Sequence, residues 1–98
     1  MNSSEAHVTT EGAARYANRM CKHFSHRVEA TWNEPDGQIE FPELGICHMI
    51  ARPDELVLRV EADDEAGLER LKEVVGTHLE RFGAREGLRV RWSDGGES

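Results

Sequence analysis

The feature that most constrains this chain is the order of its hydrophobic periods: helical, then a series of alternating segments, then helical again. In residues 63–83, Leu68, Leu71, Val74, Val75, Leu79 and Phe82 recur at the three- and four-residue steps of an amphipathic helix. Asp63 stands as its N-cap, Asp64 and Glu65 bring acid to the positive first turn, and Gly83 suits a left-handed position past its end. Gly67 and Gly76 each weaken this helix by about 1 kcal/mol relative to Ala, which its apolar face has to outweigh. An earlier helix is expected over residues 11–24, with Thr10 as N-cap. There Ala13, Tyr16, Ala17, Met20, Cys21 and Phe24 share an arc of about 140°, and Arg15, Arg19, Lys22 and His23 take the other side.

Between the helices the period drops to two. Val28, Ala30 and Trp32 alternate, and Glu34-Pro35-Asp36-Gly37 turns the chain into a strand over residues 38–41. Residues 44–52 and 56–62 read as two further strands around an Arg52-Pro53-Asp54-Glu55 turn, and residues 7–9 and 88–92 as short outer strands. The expectation is an α+β fold in the order β-α-β-β-β-β-α-β, a mainly antiparallel sheet with two helices packed on one face. Residues 44–52 are apolar on both parities: Leu44, Ile46 and Ile50 share one with His48, while Cys47, Met49 and Ala51 share the other. Such a strand lies mid-sheet. If the helices cover one side, the stripe left over is a homodimer interface or lies under a terminal segment.

Ninety-eight residues allow one domain, expected over residues 5–92, with residues 1–4 and 93–98 fraying as small polar ends. Leu, Ile, Val and Phe together make only 20 residues, near the roughly 20% below which chains stay disordered, so periodicity and not composition carries the expectation of a fold. A net charge of −7 argues against nucleic acid or anionic membrane as partner. No apolar run reaches the roughly 18 residues of a membrane span, and no signal-peptide pattern opens the chain. Two cysteines are too few for a disulfide scaffold, so a cytoplasmic chain with reduced thiols is expected.

Against that acidic background, residues 13–28 carry Arg15, Arg19, Lys22 and Arg27 and no acid. With His23, His26 and Arg85 these are candidates for binding an anionic small molecule; the plainer alternative is a solvated helix face. Cys21, His23, His26 and Cys47 are candidate ligands for a transition metal, although Cys21 and His23 point about 200° apart on a helix; otherwise no cofactor is implied. His78 falls within the apolar arc of the second helix, where it is either a core imidazole bonded to a backbone carbonyl or, with Arg81 and Glu86, an acid–base group. An enzyme is the less favoured reading. Counting strand directions puts Cys21, His23 and His26 at one end with Cys47 in the same half, and His78 at the other end.

Cys21-Lys22-His23-Phe24 with His26, Ile39-Glu40-Phe41, Cys47, and Val74-Val75-Gly76-Thr77-His78-Leu79-Glu80-Arg81-Phe82 leading to Arg85-Glu86 resemble the bacterial family called domain of unknown function 2218. The likeness spans nearly the whole chain. It implies a small stand-alone domain with no established activity, whose relatives are associated with siderophore and iron-uptake genes, so that a siderophore-pathway protein becomes a possible partner. It implies that Cys21, His23, His26, Cys47, His78, Arg81, Arg85 and Glu86 match motif positions, without giving them roles. It also implies that Cys47 and Met49 face inward, which the alternation leaves open.

Overall fold

The computed structural model describes residues 2–94, and all structural statements below concern them. The chain order is β1 (Asn2–Thr9), α1 (Ala13–Phe24), β2 (Glu29–Asn33), β3 (Asp36–Phe41), β4 (Gly45–Ala51), β5 (Glu55–Ala62), α2 (Glu65–Phe82), a 3-10 turn (Ala84–Glu86) and β6 (Ser93–Asp94). The strands form one sheet in the order β2-β3-β4-β5-β1-β6, antiparallel at every pair. This is the expected α+β arrangement. Register fixes the two faces, because side chains alternate along each strand. Trp32, Gly37, Met49, Leu58 and Ala6 make one cross-strand row, and Ala30, Ile39, Cys47, Val60 and Ser4 the next. Both rows lie under the helices. The six apolar residues expected to define the inner face of α1 are the six it buries, and α2 buries Leu68, Leu71, Val75 and Leu79. Cys47 and Met49 are fully buried, as the family resemblance implies.

The ends of elements depart from expectation for local reasons. Residues 2–4 do not fray: β1 pairs with β5 along its whole length, from Asn2 opposite Ala62 to Thr9 opposite Glu55, so it is an interior strand and not a short outer one. The helix α1 starts two residues late, because Thr10 caps the preceding turn, its Oγ1 accepting from the Gly12 N–H at 3.0 Å. The N-cap of α2 is Asp64 in place of Asp63, its carboxylate accepting from the Gly67 N–H at 2.7 Å. Gly83 is not left-handed (φ −100°). It is a close-approach glycine, since a Cβ there would sit 2.3 Å from the Leu88 side chain.

Residues 88–92 do not form the outer strand expected of them. Leu88 is buried, and the Val90 N–H donates to the Glu80 carboxylate on α2 at 2.9 Å, which draws this segment to the helix and leaves only Ser93–Asp94 to pair with β1. Val90 and Trp92 lie over Gly76 of α2, so among the described residues this segment does not cover the opposite face of the sheet. Of the expected tail, residues 95–98 fall outside the described residues, as does Met1.

Candidate anion site between the two helices

Direction counting correctly makes the helices antiparallel but mislocates His78, because it ignores their lengths. At 1.5 Å per residue, α1 is about 18 Å long and α2 about 27 Å. Their C-terminal and N-terminal ends are tied together by Glu86, which accepts from the Tyr16 hydroxyl at 2.6 Å and from the Thr10 hydroxyl at 2.9 Å. From that anchor, Phe82 falls level with Arg19, and His78 falls level with His23 and Phe24. The His23 and His78 ring centroids are 5.1 Å apart, Phe24 and His78 4.9 Å, and His23 and Phe82 5.4 Å. His78 therefore joins His23, contrary to expectation.

This pairing brings two arginine pairs together. Arg15 and Arg19 are one turn apart on the outer face of α1, and Arg81 and Arg85 are four residues apart at the end of α2 and in the 3-10 turn. Together with Tyr16, Phe82, Ala84 and Glu86 they line an open hollow of about 700 Å³. The Arg19 guanidinium lies 4.4 Å from the Phe82 ring centroid and that of Arg15 5.1 Å from the Tyr16 ring, stacking that orients each fork at low entropic cost. None of the four arginines has a carboxylate within the 4.0 Å of an ion pair among the described residues. Glu86 is the one acid in the wall among the described residues, and it is already engaged by two hydroxyl donors. Four guanidiniums facing one occupied carboxylate make a cationic hollow on an acidic chain, which is what recognition of phosphate or carboxylate groups requires.

The Tyr16 and Thr10 hydrogen bonds hold the Glu86 carboxyl below its usual range, and the Arg15 charge adds to this. A lowered native pKa stabilises the fold above the unfolded value near 4.5, and that contribution is lost as pH falls through the native value. The same bond pushes the Tyr16 phenol above its ordinary 10, so on the alkaline side stability drops as pH rises through that raised value. Tyr16→Phe is expected to shallow the acid-side loss, which urea midpoints measured between about pH 2.5 and 6 will show.

The expected ligand set divides. Arg15, Arg19 and Arg85 line the hollow; Lys22 and His26 are exposed and lie outside its walls. His23 sits at the lower end of the seam, where desolvation, followed by His78, His26 and nearby arginines, pushes its pKa down and favours the neutral ring. The proposed acid–base trio is not assembled, because His78 is not in the wall that holds Arg81 and Glu86. Its Nδ1 lies 2.7 Å from the Val74 carbonyl, which can only accept, so Nδ1 carries the proton; the imidazole makes the backbone bond of the plainer alternative but is half-buried and not part of the core. Tyr16 and Phe82, read from sequence as core, complete the hollow together with Arg81, which the sequence offers either with His78 as an acid–base group or with Arg85 and Glu86 as an anion-binding or ion-paired cluster. The signal that finds them is the pair of i, i+4 arginine spacings, one on α1 and one running from the last turn of α2 into the 3-10 turn that follows it.

The cysteines separate from the histidines, as their 200° spacing demands. Cys21 and Cys47 are free and buried under α1, and Cys21 donates weakly to the Thr31 carbonyl at 3.5 Å. Burial pushes the Cys47 thiol up to about 12, with the Cys21 charge adding to it, and burial raises Cys21 as well. The metal set Cys21, His23, His26 and Cys47 is thus split across two sides of α1, and no group of three His, Cys, Asp or Glu among the described residues is placed to hold a metal ion. Both thiols are expected to resist a disulfide-exchange reagent at neutral pH in the folded protein and to react fully in denaturant; rapid native labelling would contradict this burial.

No helix among the described residues is long and apolar enough to cross a membrane. No curated protein matches the chain. Among solved structures, the chain is similar to the NMR structure of PA4090 from Pseudomonas aeruginosa, with 38% identity, a TM-score of 0.81, and coverage of 95% of this chain and 96% of that one. Residues 5–93, and with them both helices and the arginine hollow, match the family described as an uncharacterized protein conserved in bacteria, so the chain belongs to the DUF2218 family.

Proposed function

We propose that this chain is a cytoplasmic, non-enzymatic binding domain that holds a small molecule of two or more negative charges in the seam between α1 and α2. The observation that carries the reading is the convergence of Arg15, Arg19, Arg81 and Arg85, none in an ion pair among the described residues, on one hollow of about 700 Å³. That volume lies within the range of roughly 300–1,000 Å³ typical of small-molecule sites. Bidentate contacts from guanidinium forks suit phosphate and carboxylate groups, and His23 beside Phe82 offers a neutral flat edge to the rest of the ligand. The association of relatives with siderophore and iron-uptake genes, which the resemblance implies, makes an anionic metal chelate of the catecholate type one ligand class to try, alongside simple phosphates and polycarboxylates.

NMR shift mapping with inorganic phosphate, citrate and a gallium catecholate, titrated separately, tests the reading. Saturable shifts confined to Arg15, Tyr16, Arg19 and residues 81–86 support it, and the best ligand names the class. An unperturbed seam at millimolar concentrations of all three removes it.

A further inference from the structure

We infer that the arginine seam selects a polyanion that also carries a free hydroxyl, of the hydroxy-polycarboxylate class, and that Glu86 makes the selection. This rests on the seam being the anion site and adds the class of its ligand. A carboxylate in the wall of an anion site repels what the arginines attract. It lowers affinity for every polyanion except one that brings it a hydrogen-bond donor.

Glu86 is built to receive one. Its backbone position is fixed, because it ends the 3-10 turn Ala84–Glu86, where the Glu86 and Leu88 N–H groups both donate to the Gly83 carbonyl at 3.0 and 3.2 Å. Gly87 then leaves the turn in the left-handed region at φ 72°. The carboxylate is fixed as well, with Tyr16 donating to Oε1 and Thr10 to Oε2. Both hydroxyls come from the protein side, since Tyr16 and Thr10 are buried whereas Glu86 is exposed. An ionised carboxylate offers about four acceptor sites, so each oxygen keeps one in reserve. With the inner side taken by the hydroxyls, these free sites are left to the hollow that Glu86 lines with Arg15, Arg19, Arg81 and Arg85. The Tyr16 bond, followed by that of Thr10, keeps the carboxyl below its usual range, so it is an acceptor and not a donor at neutral pH.

The matching donor is a hydroxyl and not an ammonium group. Four guanidiniums with no ion pair among the described residues repel a further cation, whereas a neutral O–H satisfies Glu86 without adding charge. Nor does the tie between the helices account for a charge at this position. Glu86→Gln preserves such a tie, because its amide oxygen can accept from Tyr16 and its amide nitrogen can donate to the Thr10 hydroxyl.

Calorimetric titration of the full chain with citrate and with tricarballylate, the same trianion without the hydroxyl, tests this above neutral pH, where both are fully ionised. Citrate is expected to bind about tenfold more tightly. Glu86→Gln should bring the two within about twofold of each other, chiefly by strengthening tricarballylate as the repulsion is removed. A purely structural role would weaken both ligands alike and leave their ratio unchanged. The Glu86 carboxyl carbon, followed by NMR in the unaltered chain, should shift further on saturation with citrate than with tricarballylate, a readout that needs no variant. Equal affinities with the arginines still perturbed, a preference that survives Glu86→Gln, or equal carboxyl shifts would each overturn the inference and leave the anion site standing. Saturable binding of neither ligand would remove the site itself, and the selection with it.

Discussion

Gly45→Ala is expected to cost more than about 3 kcal/mol of folding stability, lowering the melting temperature by at least about 12 °C. Gly45 opens β4 at φ +153°, in a region L side chains rarely adopt. A Cβ there would lie 2.0 Å from the Glu61 carbonyl oxygen and 3.0 Å from the Ala62 Cα. Both are backbone atoms of the paired strand β5, so no side chain can swing aside to make room. Set against a net stability of roughly 5–15 kcal/mol, this one methyl group is a large fraction of the total. Thermal unfolding followed by circular dichroism checks it; a loss below about 1 kcal/mol would mean that β4 does not approach β5 as closely as described.

Leu79→Ala is the second large effect, expected at about 3 kcal/mol within the usual 2–5 kcal/mol for emptying a core leucine site. Leu79 is fully buried on the inner face of α2, in line with Leu71 and Val75, so the sheet, α1 and α2 all border the cavity it would leave. Two residues further on, Arg81 sits on the opposite side of the same helix in the hollow. Arg81→Gln and Arg85→Gln are expected within about 0.5 kcal/mol of the parent, since neither arginine has an ion pair to lose among the described residues. Denaturant melts of the three variants therefore separate a residue that holds α2 in place from residues that α2 and the turn after it merely carry.

That separation also explains what was legible in the sequence. The inner face of α1 and most of that of α2 follow from spacing, because a helix one turn from its neighbour buries whatever repeats every three to four residues. The β-α-β-β-β-β-α-β order follows from turn chemistry at Glu34-Pro35-Asp36-Gly37 and Arg52-Pro53-Asp54-Glu55. Asn2, Ser3 and Ser4 give no apolar signal, and their place in β1 depends on register with residues about sixty positions away. Residues 44–52 were apolar on both parities, so alternation alone could not orient Cys47 and Met49; the family likeness did. The hollow was half visible. Arg15 and Arg19 stood out as unbalanced charge and Arg85 as a candidate anion ligand, but the Tyr16–Glu86 bond that sets the stagger of the helices spans 70 positions. Without that stagger, Arg81 could not be matched to Arg19, nor His78 to His23.

The most direct test of the anion site is calorimetric titration of citrate into the full chain and into four single variants, Arg15→Gln, Arg19→Gln, Arg81→Gln and Arg85→Gln. A single saturable site is predicted, weakened about tenfold by each substitution as one charge-assisted contact is lost, with melting temperatures essentially unchanged. Citrate heats that do not saturate at millimolar concentration, or a site whose affinity is indifferent to all four substitutions, would contradict the assignment of the seam.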